Sequence, residues 1–153
     1  LATQATVASG RYQKIVADVG YTAFPLACSR LVPLIEAGDV HGPLLRAAAE
    51  EYVTPLLAQH VDTIILGCTH YPIVRDVIAD VAGPAVQMID PAATCITGLA
   101  WYLEQHPEIL NTLALNGNRT WYSTQPNAAM QKLAESYLSI PVEWQYGEVS
   151  KDD

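Results

Sequence analysis

The chain is poor in positive charge. Lysine and arginine number 8 against 16 aspartates and glutamates, a formal net charge of −8 over 153 residues. Neutralising a phosphate backbone takes a basic patch, and so does holding an anionic membrane surface, so neither nucleic acid nor membrane is expected as a partner. A small acidic metabolite remains open, because local backbone N–H groups can bind one whatever the net charge. Cysteine is scarce too: Cys28, Cys68 and Cys95 are odd in number and far apart. They make no disulfide framework. With no leader-like stretch and no long apolar run in the sequence, a reducing cytoplasm is the simplest expected compartment. No C-x2-C or H-x3-H pair is present, so no metal site is expected. The lysines are Lys14, Lys132 and Lys151, none in a motif that would hold pyridoxal phosphate, and no cofactor is expected. There is no internal repeat and no low-complexity segment.

What is present is apolar. Half of the residues are hydrophobic, enough for one medium domain or two small lobes. The most informative stretch is 62–72, DTIILGCTHYP. Thr63, Ile64, Ile65 and Leu66 suit a parallel strand covered on both faces. Gly67 is expected to let the backbone turn, and Pro72 to open a helix, where its missing N–H is harmless. Cys68 would then lie at the carboxyl end of a strand, the edge where open α/β sheets bind ligands. Helix N–H groups nearby would favour its thiolate, and His70 could move protons beside it. A lone cysteine after an apolar strand is most often a small buried hydrophobe. Against that stands the run Cys-Thr-His-Tyr, reactive groups crowded where a core strand stops.

The remaining pattern frames this stretch. Residues 1–20 read as the end of a strand, a loop and a helix, with Thr3 or Thr6 as its cap, Val7, Tyr12, Ile15, Val16 and Val19 on one face, and Gly20 as its stop. Residues 21–27 read as a short strand with Pro25 at its end or edge. Residues 31–38 make a short helix ended by Gly38. It carries Glu36, a residue type that alone is usually a solvated surface charge. A long helix over 43–60 turns Leu44, Leu45, Ala48, Ala49, Tyr52, Val53, Leu56 and Leu57 inward, and Pro55 should kink or split it. His41 and His60 lack companions and read as ordinary. After the helix from Pro72 come a strand over 85–89 and a helix capped by Asp90, running to about His106 with Ile96, Leu99, Ala100 and Leu103 inward. Farther on, 113–115 and 121–123 read as a hairpin around Asn116-Gly117-Asn118. Residues 126–138 read as a helix capped by Ser123 or Thr124, 142–144 as a last strand, and the acidic tail as mobile. This order predicts an α/β fold, a mainly parallel sheet flanked by helices.

The run Leu66-Gly67-Cys68-Thr69-His70-Tyr71-Pro72 resembles the second cysteine motif of the glutamate racemases, cofactor-independent isomerases that supply D-glutamate for peptidoglycan. Leu1-Ala2-Thr3-Gln4-Ala5-Thr6-Val7, with Ser9 and Tyr12 after it, resembles their threonine-bearing segment. Val32-Pro33-Leu34-Ile35-Glu36-Ala37-Gly38 resembles their segment around a glutamate, and Met88-Ile89-Asp90 is similar to a later strand and aspartate. The resemblance is clear over residues 1–101 and weak beyond. It implies that Cys68 is one of two catalytic cysteines, that His70 assists acid–base chemistry, and that Glu36 orients or tunes His70. Thr69 would bind substrate, and Thr3 and Thr6 would touch its carboxylate or amine region. It further implies glutamate as the small-molecule partner, a role in cell wall biogenesis and cell shape, a cytoplasmic location, and a homo-oligomer for the complete enzyme. The family's first cysteine, in a Cys-Asn-Thr segment, and its early Asp-Ser pair are not in this chain. Cys28-Ser29 stands where the family often has Cys-Pro, and Pro91 where it often has Ser. Neither Cys28 nor Cys95 matches the missing cysteine, and both read as structural. The first residue is Leu and reads as the end of a strand, so an N-terminal part is expected to precede it. Residues 1–89 would then be the second lobe, and 90–153 a segment packing on the first. The chain alone, holding half of the site, is expected to be inactive.

Racemisation at an α carbon removes a proton from one face and delivers one to the other, which two bases on opposite faces accomplish. The carbon acid is very weak, so developing carboxylate charge needs donors in a water-poor cleft. Backbone N–H groups near Thr69 and the hydroxyls of Thr3 and Thr6 are candidates. Rival readings are a sister enzyme acting on aspartate or hydantoin, a maleate isomerase-like protein, and a non-catalytic binding module. A cysteine phosphatase fails on spacing, because the position six after Cys68 is Val74 and not arginine. A cysteine hydrolase using Cys68 and His70 is disfavoured, since residues so close in a motif rarely meet as a dyad.

Overall fold

The structure is a computed structural model, and it describes residues 1–114 and 116–149. It divides into two units, with the boundary after Tyr102.

In the first unit, Thr3 caps a one-turn helix, α1 (Gln4–Ala8), and Gly10, at φ +66°, separates it from α2 (Arg11–Asp18). The single helix expected here is therefore two, because a left-handed residue cannot be continued as α-helix. Ile15 and Val19 are exposed rather than inward. The strand expected over 21–27 reduces to one bridge, at Ala27. Next come α3 (Leu31–Glu36) and α4 (Pro43–Leu57). Helix α4 buries Leu45, Ala48, Ala49, Tyr52, Val53 and Leu56, and its larger side chains contribute about 1.5–3 kcal/mol each. Leu44 is exposed. Pro55 neither splits α4 nor ends it. It lies in the last turn, where its missing N–H forfeits one bond.

Strand β1 (Thr63–Ile65) then enters the core, and after a 3-10 turn (Tyr71–Val74) come α5 (Arg75–Ala82) and strand β2 (Gln87–Ile89). β1 and β2 pair in parallel, Ile64 opposite Met88. Two parallel bridges, Ala2 with Gly67 and Ala2 with Ala27, carry the hydrogen bonding onward. The spatial order is thus Ala27, Ala2, β1, β2: the second, first, third and fourth extended segments of the chain. That order reverses direction between the first and third segments, and such a switch point opens a crevice at the carboxyl ends. α4 packs against α5, helped by Arg46 donating to Asp80 at 2.7 Å. Helix α6 (Pro91–Gln105) starts on Asp90, whose Oδ1 accepts from the Ala92 and Ala93 N–H groups. None of its residues is buried, and Ile96 and Leu99, expected inward, are exposed.

The second unit contains α7 (Pro107–Leu110), β3 (Trp121–Ser123), α8 (Ala128–Leu138) and β4 (Trp144–Tyr146). The hairpin expected around Asn116-Gly117-Asn118 does not form: Leu113 and Ala114 are not in a strand, and β3 pairs in parallel with β4, Trp121 opposite Trp144. The two indoles meet edge to face, centroids 6.3 Å apart. Val142, two residues before Trp144, is buried, its N–H held by Glu135 at 3.2 Å. The α8 cap is Asn127, accepting from the Met130 N–H at 2.8 Å, rather than Ser123 or Thr124. Leu115 and the acidic tail from Ser150 lie outside the described residues.

Candidate active site

Gly67 fixes how the site begins. Its φ is not left-handed, so a sharp turn is not its reason. A Cβ there would lie 2.9 Å from the Leu1 carbonyl oxygen and 3.2 Å from the Ala2 Cβ. Glycine allows β1 to come against the first extended segment, with the Gly67 N–H donating to Leu1 O at 2.8 Å. Neighbouring strands run about 4.7–4.9 Å apart. Thr3 and Cys68, each one residue past the Ala2–Gly67 bridge, therefore leave the sheet side by side at the switch point.

Cys68 is half-buried. Its carbonyl accepts from the Tyr71 N–H at 3.2 Å, and the His70 carbonyl from the Ile73 N–H at 3.1 Å. These short-range bonds wind the 3-10 turn. The turn continues as 3-10 through Val74, and α5 begins only at Arg75. The helix N–H groups expected beside Cys68 accordingly lie several residues farther on.

The tight turn has a chemical result. His70 Nδ1 lies 3.9 Å from Cys68 Sγ, and His70 Nε2 lies 3.1 Å from Glu36 Oε1. The cysteine and histidine, a pair that rarely meets at this spacing, do meet, and Glu36 reaches His70 from the end of α3. Its partner is a ring rather than bulk water, although its side chain stays 46% exposed. A carboxylate accepts only, so it accepts a hydrogen bond from Nε2–H and leaves Nδ1 facing the sulfur. Thr3 Oγ1 accepts from the Thr6 N–H at 3.3 Å and shares a hydrogen bond with Thr6 Oγ1 at 2.9 Å. One hydroxyl proton is engaged in that pair, which leaves the other to donate. Thr69 is exposed at the tip of the loop.

The other cysteines part company. Cys28 is 1% exposed, its Sγ 3.5 Å from the Leu26 carbonyl, and burial pushes its thiol up to about 11. It stays an inert thiol, as a structural residue should. Cys95 lies on α6 and is exposed, not packed in a core. Tyr71 was legible only as one polar member of the run. It is fully buried, and its hydroxyl donates to the Cys28 carbonyl at 3.3 Å. No sequence signal marks that bond, because its acceptor is a backbone oxygen 43 residues away.

A cavity of about 680 Å³ opens along the flank of the sheet, lined by Thr6, Tyr12, Val16, Phe24, Ile65 and Ile89 among others. Of the site residues it touches Thr6 alone, and it lacks Cys68, His70 and Glu36. The reactive groups, not the volume, locate the site. Among the described residues no cluster of three or more His, Cys, Asp or Glu could hold a metal ion, and no helix is long and apolar enough to cross a membrane.

Fold and site together define a parallel α/β lobe with a carboxylate-backed histidine against a cysteine at its switch point. The family model described as Asp/Glu/Hydantoin racemase matches residues 1–98, and the chain belongs to that family. It is 40% identical over 137 residues to a glutamate racemase of Herpetosiphon aurantiacus, covering 88% of this chain and 54% of the relative. It is 47% identical over 98 residues to one of Desulforudis audaxviator, covering 63% and 36%. Among solved structures, the glutamate racemase of Francisella tularensis in complex with D-glutamate superposes with a TM-score of 0.82 at 29% identity, covering 99% of this chain and 56% of that one. The Thermus thermophilus glutamate racemase in complex with beta-chloro-D-alanine gives 0.72 at 33%, covering 99% and 55%. The chain thus spans about half the length of the relatives it matches.

Proposed function

We propose that the protein carrying this chain interconverts L- and D-glutamate without a cofactor, and that this chain supplies one of the two proton-transfer faces. The observation that carries the reading is the Cys68–His70–Glu36 line at the switch point. In one direction Cys68, as thiolate, takes the α proton; in the other, as thiol, it returns one. His70 Nδ1 shares that proton with the sulfur, and Glu36 holds the ring so that Nδ1 faces it. The free hydroxyl proton of the Thr3–Thr6 pair, and Thr69, would hold the substrate's carboxylate or amine. The opposite face needs a second base, which the family resemblance assigns to a cysteine on a segment outside this sequence. With that segment absent the chain alone would not racemise, and 1–89 would act as the second lobe, with 90–153 packing on the first. Glutamate is favoured over aspartate or hydantoin because the matched relatives are named glutamate racemases and one was solved with D-glutamate. The product would supply peptidoglycan synthesis in the cytoplasm, with the complete enzyme a homo-oligomer.

Exchange of the glutamate α proton in deuterated water, followed by NMR from each enantiomer, tests this. The chain alone and the chain joined to the first half of a relative are compared. Exchange and inversion are expected only in the joined protein, and Cys68→Ser should abolish them. Turnover in both directions with Ser at 68 would remove Cys68 from the mechanism, and no exchange in either protein would remove glutamate racemisation.

A further inference from the structure

We infer that Tyr71 is a positioning residue for the Cys68–His70–Glu36 line, acting through its hydroxyl on the start of α3. Tyr71 is fully buried and clasps two parts of the site at once. Its N–H donates to the Cys68 carbonyl at 3.2 Å, and its hydroxyl donates to the Cys28 carbonyl at 3.3 Å. That same Cys28 oxygen accepts from the Leu31 N–H at 3.4 Å, the bond that leads into α3. Helix α3 is short and packs on the 3-10 turn, with Leu31 and Ile35 fully buried, so it moves as one body. Glu36 ends it, five residues and about 7.5 Å of rise from Leu31. A shift of the Cys28 carbonyl therefore reaches the carboxylate that holds His70. Burial also pushes the Tyr71 hydroxyl above its ordinary range, so it remains a donor across the working pH range. A buried tyrosine commonly makes a single hydrogen bond and nothing more. What sets this one apart is that its backbone holds the cysteine while its hydroxyl holds the helix bearing the histidine's partner.

The readout is the tautomer of His70, seen in the 15N shifts of its ring nitrogens. It is measured on the 153-residue chain at about pH 7.5, above the ordinary imidazole range and below the ordinary thiol range. The unaltered chain should show the Nε2–H form in large excess. Tyr71→Phe should bring the two tautomers to comparable populations. If that variant does not fold, 4-fluorophenylalanine at 71, similar in size and without a donor, takes its place with the same expectation. Placing 4-aminophenylalanine at 71 restores a donor and should restore the Nε2–H form. Ile78→Val trims a fully buried side chain on α5 that makes none of these hydrogen bonds, and should lower stability without moving the tautomer. An unchanged tautomer without the donor, or an equal shift in Ile78→Val, would overturn the assignment. Taking Cys68 and His70 as the pair proposed above, the tautomer is still read without turnover. A failure here and a failure of glutamate exchange are therefore separate results.

Discussion

Three cysteines show how environment divides one residue type. Cys68 is half-buried at a strand end with an imidazole nitrogen 3.9 Å away, Cys95 is exposed, and Cys28 is sealed in the core. Burial moves the Cys28 thiol from its ordinary 9.0 to about 11. Below pH 9 the thiol is protonated folded and unfolded, so it contributes no pH dependence. From 9 upward the unfolded thiol ionises first and binds fewer protons than the folded one, so stability falls until the folded thiol ionises near 11. Two pKa units correspond to at most about 3 kcal/mol. Urea midpoints should therefore drop between about pH 9 and 10, and Cys28→Ala should flatten that slope. An equally steep slope in the variant would place its origin elsewhere. At this scale the sequence was partly legible. The CTHYP run marks chemistry by crowding polar groups at a strand end, but the bond from the Tyr71 N–H to the Cys68 carbonyl, which closes the turn between Cys68 and His70, carries no sequence signal. Glu36 was recognisable by its likeness to a family segment. Its contact with His70, 34 residues along the chain, could be known only from the fold.

Elements whose burial is periodic were legible, and those set by a single contact were not. Helix α4 follows from its apolar spacing, and α3 from the run ended by Gly38. The strand expected over 21–27 failed because a β-rich composition does not create a pairing partner: only Ala27 finds one, in Ala2. Gly67 was identified as special for the wrong reason. It answers a close approach rather than a turn. Gly67→Ala should force the first and third extended segments apart, at a cost of about 1–3 kcal/mol. Urea denaturation of the chain checks this, and an unchanged midpoint would mean that the Leu1 carbonyl yields freely. Because Thr3 and Cys68 leave from the two segments that Gly67 joins, the same substitution in the joined protein should also slow glutamate exchange.

Across the whole molecule, legibility stops where periodic burial stops. The first unit holds nearly every buried side chain, whereas Val142 is the sole one among the described residues of the second. The Asn116-Gly117-Asn118 signal is a local one, and it was overruled because Trp121 pairs with Trp144, across α8, rather than with its near neighbours. With so little buried, the second unit should open at lower free energy than the first. The tryptophan distribution turns this into something visible. Residues 1–100 contain none, Trp101 is 63% exposed, and Trp121 and Trp144 form the edge-to-face pair of β3 and β4. Trp101 is wetted already in the folded chain, so a change in emission on heating reports mainly the second unit, while far-UV dichroism follows the helices, chiefly α4 and α6, which lie wholly or mostly in the first unit. The emission midpoint should lie below the dichroism midpoint, and coincident curves would show one cooperative transition instead. Indole light is therefore a poor witness to the lobe that carries Cys68. An optical report on ligand there needs a tryptophan introduced by design or a label placed on the thiol.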